Sequence, residues 1–345
     1  MTWLSENALE RLRRAADAPD VSATRYRLME CVGRGGMGTV YLAEDTTLDR
    51  RVALKVLDVA DEPGELAGRL LREAHILARL EHPGIVPVHD AGALPDGRVY
   101  YAMKYVEGRR LDECADGLQS AAERLRVFLR ICDAVAFAHC RGVLHRDLKP
   151  ENVMVGPFGE VLVMDWGVAK ILKDRGPESD SELLPPAAAS ITAGAPSRTG
   201  AESQAQETRE GTVIGTPGYM SPEQARGEAM SVDARSDVYS LGIILRFLFG
   251  SGPAATGAEN AVDGMPAPLA AVCAHATELD ASGRYASVAE MAADVSRYLD
   301  GLALQVYPDT PLRRARRFFA RHQAVIWLVL VYLAVRILLV FVLRH

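Results

Sequence analysis

The sequence predicts an α+β fold in two parts, a β-rich N-terminal part and a larger, mainly helical C-terminal part. Between residues 26 and 103, short strand-like runs alternate with turns and one helix, whereas a helical pattern dominates from residue 111 onward. A chain of 345 residues can bury one large core or two smaller ones. Two lobes or two domains are therefore the starting expectation.

The composition narrows the possible classes of protein. The net charge is only −6 and no extended basic face is visible, so we expect no nucleic-acid partner. The five cysteines are scattered, odd in number and without C-x-x-C spacing, which fits a reducing cytoplasm and neither a disulfide framework nor a zinc site. The first twenty residues are charged and contain no apolar core of a signal peptide.

The first two predicted strands, Tyr26–Val32 and Thr39–Glu44, enclose a glycine-rich turn. Within it, Gly33 to Val40 fits the pattern G-x-G-x-x-G-x-V. Glycines allow a backbone to approach phosphate groups without a Cβ clash. A strand after the glycines, instead of a helix, argues against a dinucleotide-binding βαβ unit. Taken alone, the pattern fits an ordinary glycine hairpin equally well.

A lysine and a glutamate interrupt the apolar faces of the next two elements. Alternation in the strand predicted over Arg51–Leu57 places Lys55 on its apolar face. In the helix predicted over Glu65–Leu80, Glu73 falls on the apolar stripe. A charge on a buried face needs a partner of opposite sign. An ion pair between the two accounts for both exceptions, and the alternative is two unrelated exposed charges.

Acidic and amide side chains occur close together in a third stretch. Residues 145–152 read HRDLKPEN and residues 165–167 read DWG. The acids Asp147 and Asp165 and the amide of Asn152 suit a site that orients a hydroxyl nucleophile and holds magnesium on a nucleoside triphosphate. If the acids only capped loops, their joint occurrence with the lysine, the glutamate and the glycine-rich turn would be a coincidence.

In their order from Tyr26 to Leu299, these motifs resemble those of protein kinases. Tyr100–Gly108 is similar to the hinge between kinase lobes, and Gly215–Glu223 is similar to the end of an activation segment. The resemblance implies the bilobal protein-kinase fold, with a small β-rich N-lobe containing one key helix and a larger helical C-lobe. The expected boundaries are a lead-in at 1–25, a kinase domain at 26–300, an N-lobe at 26–103, a hinge at 104–108, a C-lobe at 109–300 and an insertion at about 173–212.

At the chemical end of the site, the resemblance implies that Asp147 accepts or orients the proton of the substrate hydroxyl. Lys149 would stabilise charge on the transferred phosphoryl group. Asn152 and Asp165 would bind magnesium, with manganese as an alternative ion. Trp166 departs from the phenylalanine usual in the family, a change expected to affect packing more than metal binding.

At the nucleotide end, the resemblance implies that Lys55, paired with Glu73, positions the α- and β-phosphates of ATP. Backbone groups near Lys104 and Val106 would bond the adenine, with Met103 as gatekeeper. The full set of residues expected to contact the nucleotide is Val32, Gly33, Arg34, Gly35, Gly36, Met37, Gly38, Thr39, Val40, Ala53, Lys55, Met103, Lys104, Val106 and Met154. The apolar residues that would sandwich the ring could equally be ordinary core residues.

Other residues of the resemblance indicate serine/threonine substrates and regulation. Lys149 stands where tyrosine kinases usually lack a lysine, and Thr216 would bond both that lysine and the catalytic aspartate. Arg146, if buried, would favour control by a phosphate on the activation segment. We therefore expect autophosphorylation of Thr208 or Thr212, within an insertion longer than most kinases carry. The alternative is a passive tether with incidental hydroxyls.

Two carboxylates are expected to support this machinery. Glu223 lies in the stretch Ser221-Pro222-Glu223 and would pair with Arg284. Asp237 lies in a predicted central helix and would brace the catalytic loop without touching the substrate.

Residues 324–343 form an apolar run of twenty residues with a single charge, Arg336. As a helix rising about 1.5 Å per residue, the run would span about 30 Å, the thickness of a bilayer core. A buried or surface helix is the alternative. The basic linker 301–323, with its cluster from Arg313 to Arg321, should stay on the cytoplasmic side and attract anionic headgroups.

The chain thus resembles bacterial eukaryotic-like (Hanks-type) transmembrane serine/threonine protein kinases. We expect a single pass through the inner or cell membrane, a cytoplasmic kinase domain, a C-terminus on the far side and a possible homodimer. The implied reaction is transfer of the γ-phosphoryl group of MgATP to protein Ser/Thr hydroxyls. A membrane-anchored non-catalytic scaffold remains an alternative, although no expected catalytic residue is missing. A small-molecule phosphotransferase is the other, and the match of Gly215–Glu223 to a peptide-binding loop argues against it.

Overall fold

The computed structural model of the chain describes most of residues 18–307 and short pieces near the C-terminus. The described ranges are 18–35, 38–57, 65–166, 170–171, 216–228, 231–250, 265–307, 327–328, 331–333 and 335–336. The architecture is bilobal, with a five-stranded sheet and one helix followed by a mainly helical lobe. The insertion predicted at about 173–212 lies outside the described residues, as do residues 1–17 of the lead-in.

The N-lobe is an antiparallel sheet with the strand order β1-β2-β3-β5-β4. Its strands are β1 (Tyr26–Gly35), β2 (Gly38–Asp45), β3 (Arg50–Val56), β4 (Val88–Ala93) and β5 (Val99–Lys104). The three strands predicted in this region are confirmed. Because β1 and β2 pair as far as Gly35 and Gly38, the glycine-rich stretch continues the sheet.

Alternation along β3 separates two packing faces. Its even-numbered apolar residues join a small apolar cluster that consists of Tyr26, Ala43, Val52, Leu54, Val56, Leu94, Tyr100 and Ala102. Ala53 and Leu57 instead belong to the large core that continues into the C-lobe. Lys55 lies between them in sequence and shares their face, as the alternation predicted.

The N-lobe helix, α1 (Glu65–Arg79), packs against that inner face of the sheet. Leu70 and Leu77 are fully buried on its apolar stripe, and each contributes about 2 kcal/mol through burial. Glu73 lies on the same stripe and is only 1% exposed. The helix therefore carries one buried carboxylate into the core, at the predicted position.

The C-lobe is built around a buried central helix. Its described helices are α2 (Leu111–Cys114), α3 (Ala121–Cys140), α4 (Pro222–Ala225), α5 (Ala234–Leu248), α6 (Ala267–Ala276) and α7 (Val288–Leu299). Eleven of the fifteen residues of α5 are buried, which identifies it as the centre of the lobe. Gly242 permits close packing of α6 on α5, since a Cβ there would lie 2.9 Å from the Cβ of Ala276.

Short strands and a helix cap position the catalytic segment between the lobes. One small sheet contains β6 (Arg109–Arg110), β8 (Val153–Val155) and β9 (Val161–Val163), and another pairs β7 (Val143–Leu144) with β10 (Lys170–Ile171). Helix α3 begins at a capping box, in which Ser120 and Glu123 each accept the backbone N–H of the other. Residues 145–152 follow directly from β7 and lead into β8.

A buried ion pair ties the segment before α5 to the segment before α7. Glu223 receives hydrogen bonds from the guanidinium of Arg284 at 2.8 and 2.9 Å, and one from the hydroxyl of Ser236 at 2.7 Å. Glu223 and Arg284 are each 4% exposed. The predicted contact between them is confirmed, and it holds the end of the activation segment on the C-lobe.

Within the described residues, no helix combines the length and the apolar character needed to cross a bilayer. The span predicted at 324–343 falls largely outside those residues, and its described pieces, 327–328, 331–333 and 335–336, are helical. The basic cluster from Arg313 to Arg321 lies outside the described residues as well.

We predict that Glu223→Gln lowers the free energy of unfolding at pH 7 by about 3–5 kcal/mol, because it leaves Arg284 buried without its anion. Burial pushes the pKa of Glu223 up, but hydrogen bonds from Arg284 and Ser236 outweigh burial and lower it from 4.5 to about 2. Since the folded pKa is depressed, this stabilisation is complete above about pH 4.5 and is lost as the pH falls toward 2.

Urea unfolding of both proteins at pH 7 and pH 3.5 measures this effect. The difference between them should shrink at the lower pH. Glu228→Gln, which breaks the exposed pair with Arg226, is the control and should change the free energy of unfolding far less, because solvent screens that pair. A Glu223→Gln cost equal to that of the control contradicts the interpretation.

Candidate active site

The glycine-rich stretch lies where β1 passes into β2. Gly38 has a φ of +145°, and a Cβ there would run into the carbonyl oxygen of Val56, so the position requires glycine. Of the other predicted nucleotide contacts in this stretch, Val32, Gly33, Arg34 and Gly35 are exposed and Thr39 is buried. Gly36 and Met37 lie outside the described residues.

Apolar residues predicted to surround the adenine lie on neighbouring strands and in the hinge. Ala53 and Met103 are buried cross-strand partners on β3 and β5. Val40 on β2 and Val106 in the hinge are partly buried against the same core. Met154 on β8 is half-buried, and Lys104 ends β5 with an exposed side chain. The fold thus gathers these residues along the junction of the two lobes.

Two carboxylates hold the ammonium group of Lys55. Its Nζ lies 2.9 and 2.8 Å from the two oxygens of Glu73, and 3.5 Å from Oδ1 of Asp165. Burial alone lowers the pKa of Lys55, but the charges of Glu73 and Asp165 outweigh burial and raise it. The predicted ion pair is confirmed, and the lysine is a fixed cation that can meet phosphate oxygens.

Glu73 has a further partner that the sequence interpretation missed. The hydroxyl of Tyr101 donates to Oε1 of Glu73 at 2.8 Å, and Tyr101 is 2% exposed. A buried tyrosine usually finds a hydrogen-bond partner for its hydroxyl. The identity of that partner depends on the register of β3 and β5, which the sequence does not reveal.

The carboxylate of Asp147 lies at the centre of a second network. Its Oδ1 accepts hydrogen bonds from both the backbone N–H and the hydroxyl of Thr216, each at 2.8 Å. Lys149 lies 3.0 Å from Oδ2 and donates to the Thr216 hydroxyl at 2.6 Å. The amide nitrogen of Asn152 donates to the Asp147 carbonyl at 2.8 Å. The structure thus brings these four predicted residues together.

Asp237 of α5 fixes the same loop from inside the C-lobe. Its carboxylate accepts the backbone N–H groups of His145 and Arg146, both at 2.9 Å, and lies 2.7 Å from Nε2 of His139. Burial alone would raise the pKa of Asp237, but the hydrogen bond and charge of His139 outweigh burial and lower it. The predicted brace is therefore present as a set of direct contacts.

Trp166 connects the catalytic loop to the segment that carries Asp165. Its ring is fully buried, lies 4.6 Å from the ring of His145 and donates its N–H to the carbonyl of Val163 at 3.3 Å. The preceding residue, Asp165, has a φ of +55° and a side chain that is 53% exposed. Trp166, which replaces the usual phenylalanine, is thus a core residue, whereas the carboxylate of Asp165 is exposed.

The donor atoms suit a hard cation such as magnesium. Asp165 offers an exposed carboxylate, and Asn152, which donates through its amide nitrogen, can offer its amide oxygen. Within the described part of the chain, no group of three or more His, Cys, Asp or Glu side chains could hold a metal by itself. With Asp165 and Asn152 as its protein ligands, magnesium would complete its coordination with phosphate and water.

Arg146 is a buried cation with an open donor. It is 8% exposed, and its Nε has no hydrogen-bond partner among the described residues. Burial lowers its pKa, and the charge of Asp237 opposes that effect. Such a guanidinium suits an incoming anion. The predicted phosphorylation sites Thr208 and Thr212 lie outside the described residues.

Comparisons with known proteins agree with this geometry. Residues 26–265 match the protein kinase domain family. Serine/threonine-protein kinase PknD of Protochlamydia amoebophila is 36% identical over 311 residues, which is 80% of this chain and 30% of PknD. Serine/threonine-protein kinase PknB of Mycobacterium tuberculosis is 36% identical over 307 residues, 82% of this chain and 44% of PknB.

The crystal structure of the Mycobacterium tuberculosis PknI kinase domain superposes with a TM-score of 0.56 at 26% identity, covering 80% of this chain and 96% of that domain. The chain spans less than half the length of the two curated relatives above. The family match nevertheless covers most of its residues and both lobes. The chain belongs to the protein kinase domain family, and the relatives it resembles are bacterial serine/threonine kinases.

Proposed function

We propose that the chain transfers the γ-phosphoryl group of MgATP to serine and threonine hydroxyls of proteins. The observation that carries this proposal is the contact between Asp147, Lys149 and Thr216, which joins a carboxylate base to a cation and a hydroxyl. The serine/threonine kinases among its relatives support the same substrate class.

Asp147 accepts a hydrogen bond from the substrate hydroxyl and takes its proton as the new oxygen–phosphorus bond forms. The bond from the γ-phosphorus to the bridging oxygen breaks, and ADP leaves. Lys149 offsets charge on the transferred group. Little covalent chemistry is required of the protein, so positioning and electrostatics supply most of the rate enhancement.

Lys55 positions the α- and β-phosphates, and Glu73 fixes the lysine. Asn152 and Asp165 would hold magnesium, or manganese in its place, and the ion would supply positive charge that offsets the negative charge of the phosphates. The glycines between β1 and β2 let the backbone approach the phosphates. The adenine lies between the apolar residues of the two lobes, namely Val40, Ala53, Val106 and Met154, with Met103 behind it and backbone groups near Lys104 beside it.

The two alternatives have less support. A non-catalytic scaffold is expected to lack a catalytic group or its partner, whereas the contacts of Lys55, Asp147 and Asp165 are all formed. A small-molecule phosphotransferase has no need of the segment from Thr216 to Glu223, which the Glu223–Arg284 pair fixes to the C-lobe.

We expect the full-length chain with magnesium and labelled ATP to phosphorylate itself or a protein substrate on Ser or Thr. Asp147→Asn removes the base and Lys55→Met removes the phosphate-binding cation, so each should lower the rate at least about a hundredfold. Asp300→Asn, an exposed carboxylate in the C-lobe, is the control. A wild type that binds ATP without transferring phosphate supports the scaffold instead.

The hydroxyl of Thr216 should matter for the rate. Thr216→Val removes the hydrogen bonds that the hydroxyl makes with Asp147 and Lys149, keeps the backbone N–H bond to Asp147, and should lower kcat on a peptide about tenfold to a hundredfold. Thr216→Ser keeps the hydroxyl and should retain most of the activity. Equal kcat values for the two variants would show that the hydroxyl has no part in transfer.

We also propose that Thr208 or Thr212 is autophosphorylated and that Arg146 binds the phosphate, as suggested by its buried Nε, which has no hydrogen-bond partner among the described residues. Mass spectrometry of active enzyme should find phosphate on at least one of these threonines. Replacing both by alanine should lower transfer about tenfold, whereas Thr192→Ala with Thr199→Ala, in the same insertion, should not. Active enzyme with both threonines unmodified contradicts the proposal.

Finally, we propose that residues 324–343 anchor the chain in the cell membrane, with the kinase domain in the cytoplasm and room for pairing with a second copy. Trp327 and Leu328 are exposed on described helical residues, and the Arg336 guanidinium lies 6.0 Å from the Tyr332 ring. The full chain should stay with membranes in alkaline carbonate, whereas a chain ending at residue 323 should not. If carbonate released the full chain as well as the shortened chain, the anchor would be contradicted, and attachment would be limited to the membrane surface through Arg313–Arg321.

A further inference from the structure

Side chains from two strands meet at one buried carboxylate on helix α1. Lys55 on β3 and Tyr101 on β5 are directly opposite in the sheet, so their side chains project from the same face. Helix α1 brings Glu73 onto that face. Lys55 bonds both oxygens of Glu73, and the Tyr101 hydroxyl bonds Oε1 at 2.8 Å. The ammonium also lies 5.7 Å from the centre of the Tyr101 ring.

Burial makes each partner of Glu73 important. Glu73 and Tyr101 are 1% and 2% exposed, and the side chain of Lys55 is 12% exposed. Burying a charged carboxylate is unfavourable unless hydrogen bonds from the protein replace those that it makes with water. Loss of one partner is therefore expected to move the carboxylate and not merely to weaken one contact.

The two partners differ in what else they must do. Lys55 also lies 3.5 Å from Asp165, and in the proposed reaction it turns toward phosphate oxygens. A tyrosine hydroxyl has a single proton to donate, and that of Tyr101 goes to Glu73. Tyr101 is thus the partner that can hold Glu73 while the lysine engages the nucleotide.

We propose that Tyr101 is a positioning residue for phosphoryl transfer, whose hydroxyl holds Glu73, and through it helix α1 and Lys55, in the orientation that binds ATP phosphates. This inference rests on the proposed kinase function. Leu70 and Leu77 bury α1 through non-directional apolar contacts, which permit small rotations of the helix. The hydrogen bond from Tyr101 on β5 to Glu73 is directional, so it fixes the rotation of α1 about its axis.

The same strand offers a matched control. Tyr100 precedes Tyr101, points to the opposite face and is also buried, at 7% exposed. Its ring packs edge-on against Tyr26 with centroids 5.9 Å apart. Tyr100→Phe and Tyr101→Phe therefore remove the same atom from neighbouring residues, and only the second removes a partner of Glu73.

The test is a kinetic comparison of both variants in the full-length chain, with ATP and a peptide substrate each varied. Tyr101→Phe should raise KM for ATP and lower kcat, so that kcat/KM for ATP falls about tenfold or more while KM for the peptide stays unchanged. Tyr100→Phe should remain within about twofold of wild type. A merely structural loss would leave fewer active molecules and would lower kcat alone.

Titration with a fluorescent ATP analogue extends the comparison to variants that transfer slowly. In the Glu73→Gln background, Tyr101→Phe should change nucleotide affinity less than about twofold, because the hydroxyl acts through the carboxylate. A KM for ATP in Tyr101→Phe equal to that of wild type overturns the inference. It is also overturned if Tyr101→Phe lowers nucleotide affinity as much in the Glu73→Gln background as it does in wild type. Absence of transfer in wild type overturns the proposed function instead, and the titration then still decides the role of Tyr101.

Discussion

The catalytic loop depends on one buried carboxylate, that of Asp237. It accepts two successive backbone N–H groups of the loop and contacts His139, so it fixes the backbone immediately before Asp147. Arg146 adopts a φ of +70° there, a left-handed conformation that costs free energy in a residue with a Cβ. The strained turn persists because central helix α5 holds it, and the direction of the Asp147 side chain follows from it.

The phosphate-binding end of the site lies in the N-lobe and the proton-accepting end lies in the C-lobe. The dipeptide Asp165-Trp166 contacts both lobes. Lys55 belongs to the sheet, whereas the Asp147 network belongs to the C-lobe. Asp165 reaches the lysine at 3.5 Å, while the neighbouring Trp166 packs on His145 inside the C-lobe. Asp165 therefore contacts the N-lobe, while Trp166 fixes the same segment to the C-lobe. A movement of one lobe relative to the other would change the distance between Lys55 and Asp147.

The sequence predicted most of this arrangement because periodicity and short motifs are local. Alternation in β3 and the helical stripe in α1 placed Lys55 and Glu73 on buried faces, and burial of opposite charges made their pairing the simplest outcome. Tyr101 escaped notice because its role depends on which residue of β3 lies opposite it, and strand register is a property of the folded sheet. The open Nε of Arg146 is likewise visible only once its neighbours are in place.

The measurement that tests the account most directly is a crystal structure of the full chain with magnesium and a non-hydrolysable ATP analogue. We expect phosphates in contact with Lys55, a metal ion bound by Asn152 and Asp165, and a γ-phosphate facing Asp147. The hydrogen bond from Tyr101 to Glu73 should persist. A nucleotide bound with its phosphates away from Lys55 and Asp165 would contradict the account, as would a site that excludes the nucleotide.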